Sequence, residues 1–378
     1  MNVKSEIITR LEDLLPLESE WERLRRENQA SIFTSPLWTT IWLKHFQDQV
    51  STRALVLRQG REMVGLAPLV TYSSKFKGYP ITYLCMVGNF GETTEYHELQ
   101  FLHGQDLKTA AEGFIAGMKR IRWNLLQLRD LRWNAISQEV YARAAAGWQC
   151  EAMVSKDCPY VALDPSRPIL EGFEVRSGRK VKRLVDSLEK EGRIELAAIR
   201  GGEEVARSME TYIEQHKERW ASKGGSIFHD PRQSGFLKEV ASRGAEKGMV
   251  VVYEVRIDGE VASQQLCIKD GATLRMWKIG MNDKFRAFTP GYLSVYFGMT
   301  EAQRQGFKEY DLGPGPEEYK YKVGGVQRFT HNIQGKRGMA SLLSKASRFT
   351  GMRKPTTTAP KEDSLDAQEG KEAPEYRK

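Results

Sequence analysis

The chain has 378 residues, with 57 Lys and Arg against 49 Asp and Glu, a net charge of +8 at pH 7. With 40% hydrophobic and 28% charged residues, it has the composition of a soluble globular protein, long enough for about two domains. Its four cysteines, Cys85, Cys150, Cys158 and Cys267, are too few for a disulfide scaffold and form no CxxC pair, which leaves a cysteine zinc site unsupported.

In chain order, Leu11–Glu27 shows helical spacing, with Leu17, Trp21 and Leu24 on one face. Ser35 and Pro36 then supply a cap and a first helical residue for a helix carrying Trp38, Trp42 and His45. Arg53–Arg58 and Met63–Tyr72 read as a hairpin around Gln59-Gly60-Arg61. Further strands are expected at Ile81–Val87, Leu99–Leu102 and Leu125–Leu128, with helices at Leu107–Ile121 and Ser137–Ala146. The pattern restarts near Cys150–Leu163. A basic helix (Phe173–Glu189), a strand (Ile194–Ile199) and helices at Glu203–Trp220 and about Gln233–Lys247 follow. Next come three strands, Met249–Ile257, Glu260–Ile268 and Thr273–Met281, turned by Asp258-Gly259 and Asp270-Gly271. A loop leads into a helix from Pro290 to about Gln305, a short strand Lys308–Leu312 and a Gly-Pro loop. From 339 the chain is rich in Pro, Thr, Lys and Glu and is expected to be disordered. The two halves share an outline, which suggests a duplicated α+β domain.

No stretch approaches the roughly 20 apolar residues of a spanning helix. The N-terminus has no signal-peptide pattern, so a cytoplasmic protein is expected. The dispersed positive charge fits solubility or a small anionic ligand better than a nucleic-acid groove.

Four segments could carry chemistry. Lys284 and Arg286 precede Thr289-Pro290-Gly291 at a helix start, where free amides and the dipole attract anions; alternatively Thr289 is a plain cap. Tyr310–Lys322 joins a strand end to a Gly/Pro loop bearing Glu317, Glu318, Tyr319 and Lys320, groups that move protons or hold phosphates; alternatively it is a tight turn with a solvated helix start. The basic run Arg176–Arg183 could meet RNA or an acidic substrate, or be a solvated helix face without the aromatics that stack bases. The six histidines are scattered, with no metal spacing, so no metal is expected. Among them His216 shares a helix face with Trp220. GxSxG, P-loop and GxGxxG signatures are all missing.

Together, FTSPLWTTIWLKHF (33–46), VGLAPL (64–69), Arg179-Lys180, HKERW (216–220), the Thr289–Gly291 helix start and YDLGPGPEEYKYKVG (310–324) resemble the CelD/BcsL-type acetyltransferase-like proteins of the GNAT superfamily. That family is associated with bacterial cellulose and exopolysaccharide synthesis and is similar to Fem-type aminoacyl transferases. The resemblance implies an α+β fold of two tandem GNAT-like domains, 1–155 and 156–338, followed by a tail at 339–378. It implies acetyl-CoA or another acyl-CoA as co-substrate, its pyrophosphate held by Lys284, Arg286, Thr289 and Gly291. Phe285, Ala287, Phe288 and Pro290 stand where the family usually has a Gly-rich loop, and Glu95-Tyr96 stands where it has Asp-Tyr. An amine or hydroxyl would attack the thioester, with a backbone N–H polarising the carbonyl and Asp311, Glu318 or Tyr319 relaying the proton. Lys320 would contact acceptor or phosphate, and Glu98, Arg179, His216 and Trp220 would bind the acceptor. The expected partners are a small-molecule or glycan-linked acceptor and polysaccharide-synthesis machinery. Competing readings are Fem-like transfer from aminoacyl-tRNA and a non-catalytic double-GNAT binding module.

Overall fold

The computed structural model describes residues 3–338, apart from 77, 90–92, 103, 105, 222 and 223. The tail expected at 339–378 and His103 lie outside the described residues. The chain divides into two units: residues up to 156 with the segment from 329, and residues 157–328.

The first unit opens with β1 (Val3–Ile8), α1 (Leu11–Leu14), α2 (Glu18–Glu27) and α3 (Pro36–Phe46). Strands β2 (Ser51–Thr52), β3 (Ala54–Gln59), β4 (Glu62–Ala67), β5 (Leu69–Phe76), β6 (Tyr79–Met86) and β7 (Gln100–Phe101) follow. Then come α4 (Leu107–Arg120), β8 (Leu125–Leu131), α5 (Ala135–Gly147) and β9 (Gln149–Asp157). The second unit contains β10 (Tyr160–Ala162), α6 (Val175–Lys190), β11 (Ile194–Ile199), α7 (Gly202–Trp220) and α8 (Pro231–Glu246). It continues with β12 (Val250–Ile257), β13 (Glu260–Asp270), β14 (Thr273–Met281), α9 (Pro290–Arg304), β15 (Glu309–Asp311) and α10 (Glu318–Lys322). Finally β16 (Phe329–Lys336) returns to the first unit.

Local chemistry explains most of these boundaries. Ser35 accepts from the Trp38 amide and Pro36 opens α3, as the dipeptide predicts. The expected helix 11–27 is interrupted by a 3-10 turn at Leu15–Leu17, where Pro16 has no N–H to donate. Pro68 likewise splits the expected strand 63–72 into β4 and β5. In the β12–β13 turn, Asp258 (φ 54) and Gly259 (φ 80) both take the left-handed conformation a tight hairpin requires.

The first unit has two sheets, β1-β3-β4-β7 and β2-β5-β6-β8-β16-β9; the second has one, β10-β15-β14-β13-β12-β11. The β16 strand pairs antiparallel with β8. It therefore completes the first unit's sheet, whereas the sequence reading assigned 329–338 to the second domain. Each unit has its own apolar core, one built around Leu57, Phe114 and Leu128, the other around Tyr253, Leu293 and Tyr310.

Candidate active site

In the second unit β14 and β15 run parallel but pair only through Thr273–Arg275 and Glu309–Asp311. Beyond that point they part. Among the described residues, β14 has a strand partner on its β13 side alone from Met276 to Met281. The edge facing the opening thus offers backbone donors and acceptors, which must find partners when covered. The register with β13 also slips here: Leu266 faces Lys278 while Cys267 faces Met276, so Trp277 is an extra residue. Such a bulge re-aims the backbone beside a site.

A buried ion network closes the narrow end. Arg275 is 1% exposed and Asp311 0%; the Arg275 guanidinium donates to Asp311 Oδ2 and pairs with Asp270 at 3.3 Å. Arg328 donates to the same Asp311 oxygen and to Glu309 at 2.9 Å. Asp311 Oδ1 accepts from the Gly313 amide at 2.8 Å. Asp311, expected as a proton relay, is thus held by two arginines and a backbone N–H.

The arm after β15 is the loop Gly313–Gly315, whose glycines take φ 74 and 124. Lys320 is buried at 3% exposure. Its Nζ donates to the carbonyls of Gly313, Pro314 and Gly315 at 3.0, 2.9 and 3.2 Å and pairs with Glu317 at 2.8 Å. Three donors on three carbonyls make Lys320 a clamp on the loop. Tyr319 is buried beside Tyr292, ring centroids 6.4 Å apart. Glu318 is exposed and pairs with Lys322 at 3.3 Å, on the surface rather than in the opening.

The other arm leads from β14 into α9. Lys284 pairs with Glu260 at 2.6 Å, while Arg286 is exposed. Thr289 stands at the N-cap with φ 44 and ψ 57 and makes no side-chain capping bond, so it is not the plain cap the sequence allowed. A β-branched residue in this region is strained, and among the described residues its Oγ1 is buried without a partner. The Tyr292 and Leu293 amides go to the Thr289 carbonyl and Pro290 has none to give, so the Gly291 amide has no acceptor among the described residues. The α9 N-terminus therefore keeps its positive end open, the chemistry an anion needs. These features fit acyl-CoA: an open helix start for the pyrophosphate and an unpaired strand edge for the pantetheine amides.

The helices α7 and α8 bring a third group. Gly280 of β14 lies so close to the Tyr212 ring that a Cβ there would meet it at 2.8 Å. One turn further along α7, His216 bonds through Nδ1 to Ser226 Oγ at 2.8 Å and stacks on Trp220, with Phe228 edge-on. Burial pushes the His216 imidazole down to about 4, helped by Lys278 and Arg219. Arg179 is exposed on α6. Glu98 belongs to the first unit, where it is buried and accepts from the Ser31 amide at 2.6 Å and from Arg132 at 3.2 Å.

The first unit repeats the wedge but fills it. There β6 and β8 run parallel and pair only through Tyr83–Cys85 and Leu125–Gln127. Residues 93–101, all buried, occupy the gap beyond. His97 bridges to Leu131 on one side, and Gln100 and Phe101 pair with β4 on the other. Trp38 and Trp42 donate to Thr94 and Thr93 at 2.8 and 2.7 Å, fixing the plug. The equivalent helix start is also closed, because Asp106 accepts from the Lys108 and Thr109 amides at the head of α4. His97, fully buried, is pushed down to about 4 by burial and by Lys156, against the pull of Asp130.

Both imidazoles bind protons more weakly folded than unfolded, so the unfolded chain protonates first as the pH falls. Their contribution is complete above about pH 6.5 and is lost as the pH falls toward about 4. Urea midpoints are expected to drop between about pH 7.5 and about pH 5, and less steeply in His97→Gln; an unchanged slope in that variant contradicts the assignment.

Sequence reasoning missed Arg275, Arg328 and Trp277, because an ion network and a bulge depend on strand pairings that no local motif announces. It also missed the left-handed Thr289, since Thr-Pro-Gly reads as an ordinary helix start.

Residues 176–321 match the family described as an acetyltransferase (GNAT) domain. The match lies within the second unit, runs from α6 to α10 and takes in the parted strands, the α9 start and the Lys320 clamp. Over the whole chain the structure is similar to FemX, with 12% identity, 91% of this chain and 99% of that one covered, and a TM-score of 0.60. It is also similar to a conserved protein of unknown function from Bacteroides thetaiotaomicron, with 10% identity, coverages of 88% and 99%, and a TM-score of 0.55. A tandem GNAT protein from the clavulanic acid biosynthesis pathway aligns at 12% identity over 89% and 99%, with a TM-score of 0.47. No curated protein matches the chain in sequence. The fold class is the expected one, α+β, with helices and mixed sheets in two units. No helix among the described residues is long and apolar enough to cross a membrane.

Proposed function

We propose that this protein is an acyltransferase moving an acetyl or other acyl group from acyl-CoA to an amine or hydroxyl acceptor. The carrying observation is the wedge of the second unit, which opens between β14 and β15 and ends at the uncapped, strained start of α9. Acyl-CoA supplies the activated thioester. The Gly291 amide at the α9 start and Arg286 hold its pyrophosphate, and the outer edge of β14 holds its pantetheine arm. The backbone at the Trp277 bulge polarises the carbonyl, where a preorganised donor acts in a water-poor site. Asp311 and Lys320 keep the two arms apart, a positioning role. On the α7 side, His216, its ring fixed by Ser226, and Trp220 offer a neutral aromatic face to the acceptor, whose proton passes to the departing CoA thiolate. The acceptor is a small or glycan-linked molecule of cell-envelope or polysaccharide biosynthesis, as in the CelD/BcsL type.

A second reading, aminoacyl transfer from tRNA, draws on α6, whose Arg176, Arg179, Lys180, Lys182 and Arg183 are all exposed. RNase-sensitive absorbance at 260 nm in the purified protein would favour it.

A thermal-shift titration with CoA and acetyl-CoA tests the first reading. Saturable stabilisation is expected, since a ligand specific for the folded state must raise its stability, and Arg286→Glu is expected to weaken it about tenfold or more. No shift at millimolar ligand overturns the proposal and leaves the tRNA and binding-module readings.

A further inference from the structure

A cavity of 290 Å³ lies beside the plug of the first unit, walled by Phe101, Leu107 and Ile136, with Asn28 and Gln100 among its lining and Ala135 at the α5 start. Gln100 is 1% exposed. Its Nε2 donates to the Thr34 carbonyl at 2.7 Å, but among the described residues its Oε1 is buried with no partner. The Asn28 amide is in the same state at both Oδ1 and Nδ2. Buried polar atoms are almost always hydrogen-bonded, because leaving one bare forfeits its hydration. Two acceptors and one donor in one pocket therefore call for a guest that supplies the complement.

The charges around the cavity narrow the class. Glu98 also lines it, but its carboxylate is engaged by the Ser31 amide and Arg132, so it offers no bare charge to a cation. The nearby helix starts are taken by the chain's own side chains, Asp106 on α4 and Asn134 on α5, so they offer no amides to an anion. What remains is an apolar chamber with amide-type donor and acceptor sites. We infer that the first unit holds a second ligand site, for a small uncharged molecule that joins an amide group to an aliphatic body. The guest's amide pairs with Asn28 in both directions, its second N–H goes to Gln100 Oε1, and its aliphatic part lies against Phe101, Leu107 and Ile136. The site is independent of the acyl-CoA reading, because its residues all belong to the first unit.

The probe is N-acetyl-leucinamide, titrated into the full chain by thermal shift, with N-acetyl-leucine as the charged control. Saturable stabilisation in the millimolar range is expected for the amide, with binding of the carboxylate at least about tenfold weaker. Ala135→Trp, a change at an exposed position, is expected to block the cavity and abolish the response while the CoA response persists. Asn28→Leu should weaken the amide about tenfold without lowering stability, since it replaces bare polar atoms with apolar ones. No stabilisation, an undiminished response in Ala135→Trp, or equal binding of amide and carboxylate overturns the inference. A CoA response that fails in the wild type leaves these outcomes untouched, so the two proposals fail separately.

Discussion

Asp311→Leu is expected to destabilise the protein by about 3–5 kcal/mol, the cost of breaking a buried ion pair from one side. The loss arises because Arg275, 1% exposed, is left charged without its buried carboxylate partner, with Asp270 farther off at 3.3 Å. Arg328 suffers less, since it is 36% exposed and keeps Glu309 at 2.9 Å. The double variant Asp311→Leu, Arg275→Met is expected to recover much of the loss, because both buried charges go together. Urea unfolding of the four variants of the cycle checks this. If Asp311 instead serves chemistry alone, the single variant loses activity and keeps its midpoint, and the structural account is wrong.

Lys320→Met is expected to lower stability by about 2–4 kcal/mol and to weaken the acyl-CoA response by an order of magnitude, because three partly buried carbonyls lose their donor together. Glu317 also loses the cation 2.8 Å away. Lys320→Arg is not expected to rescue, because a planar guanidinium cannot aim its hydrogens at three carbonyls that converge on one nitrogen. Full CoA stabilisation in Lys320→Met would show that the loop holds its shape unaided.

How much of this was legible follows from how local each signal is. The Ser35-Pro36 helix start, the Asp258-Gly259 turn and the three-strand meander are written within a few residues, and each forms where expected. Pro16 and Pro68 are equally local, yet the apolar pattern around each runs on through it, so period alone joined what the proline divides. The strand Val3–Ile8 mixes Lys4, Ser5 and Glu6 with apolar residues, as a sheet edge allows, and gave no clear period. Phe329–Lys336 is polar enough to pass for loop and becomes a strand only because β8 waits for it some 200 positions earlier. At the site, the basic and glycine-rich residues stood out, but their roles depend on neighbours distant in sequence. Asp311 resembles a catalytic acid until Arg275 and Arg328 are placed around it. Lys320 resembles a phosphate ligand until its three carbonyls are seen.

The return of the chain through β16 has a consequence for how the protein is made. During synthesis the first unit's larger sheet is left with a slot between β8 and β9, which only residues 329–336 can occupy. The second unit is one uninterrupted stretch, 157–328, so it has all its strands before the first unit does. The half that is translated later is the one that can finish first. Chains truncated after residue 328 should therefore carry a protease-resistant second unit beside a first unit still open to cleavage, and chains that run through residue 338 should resist cleavage in both.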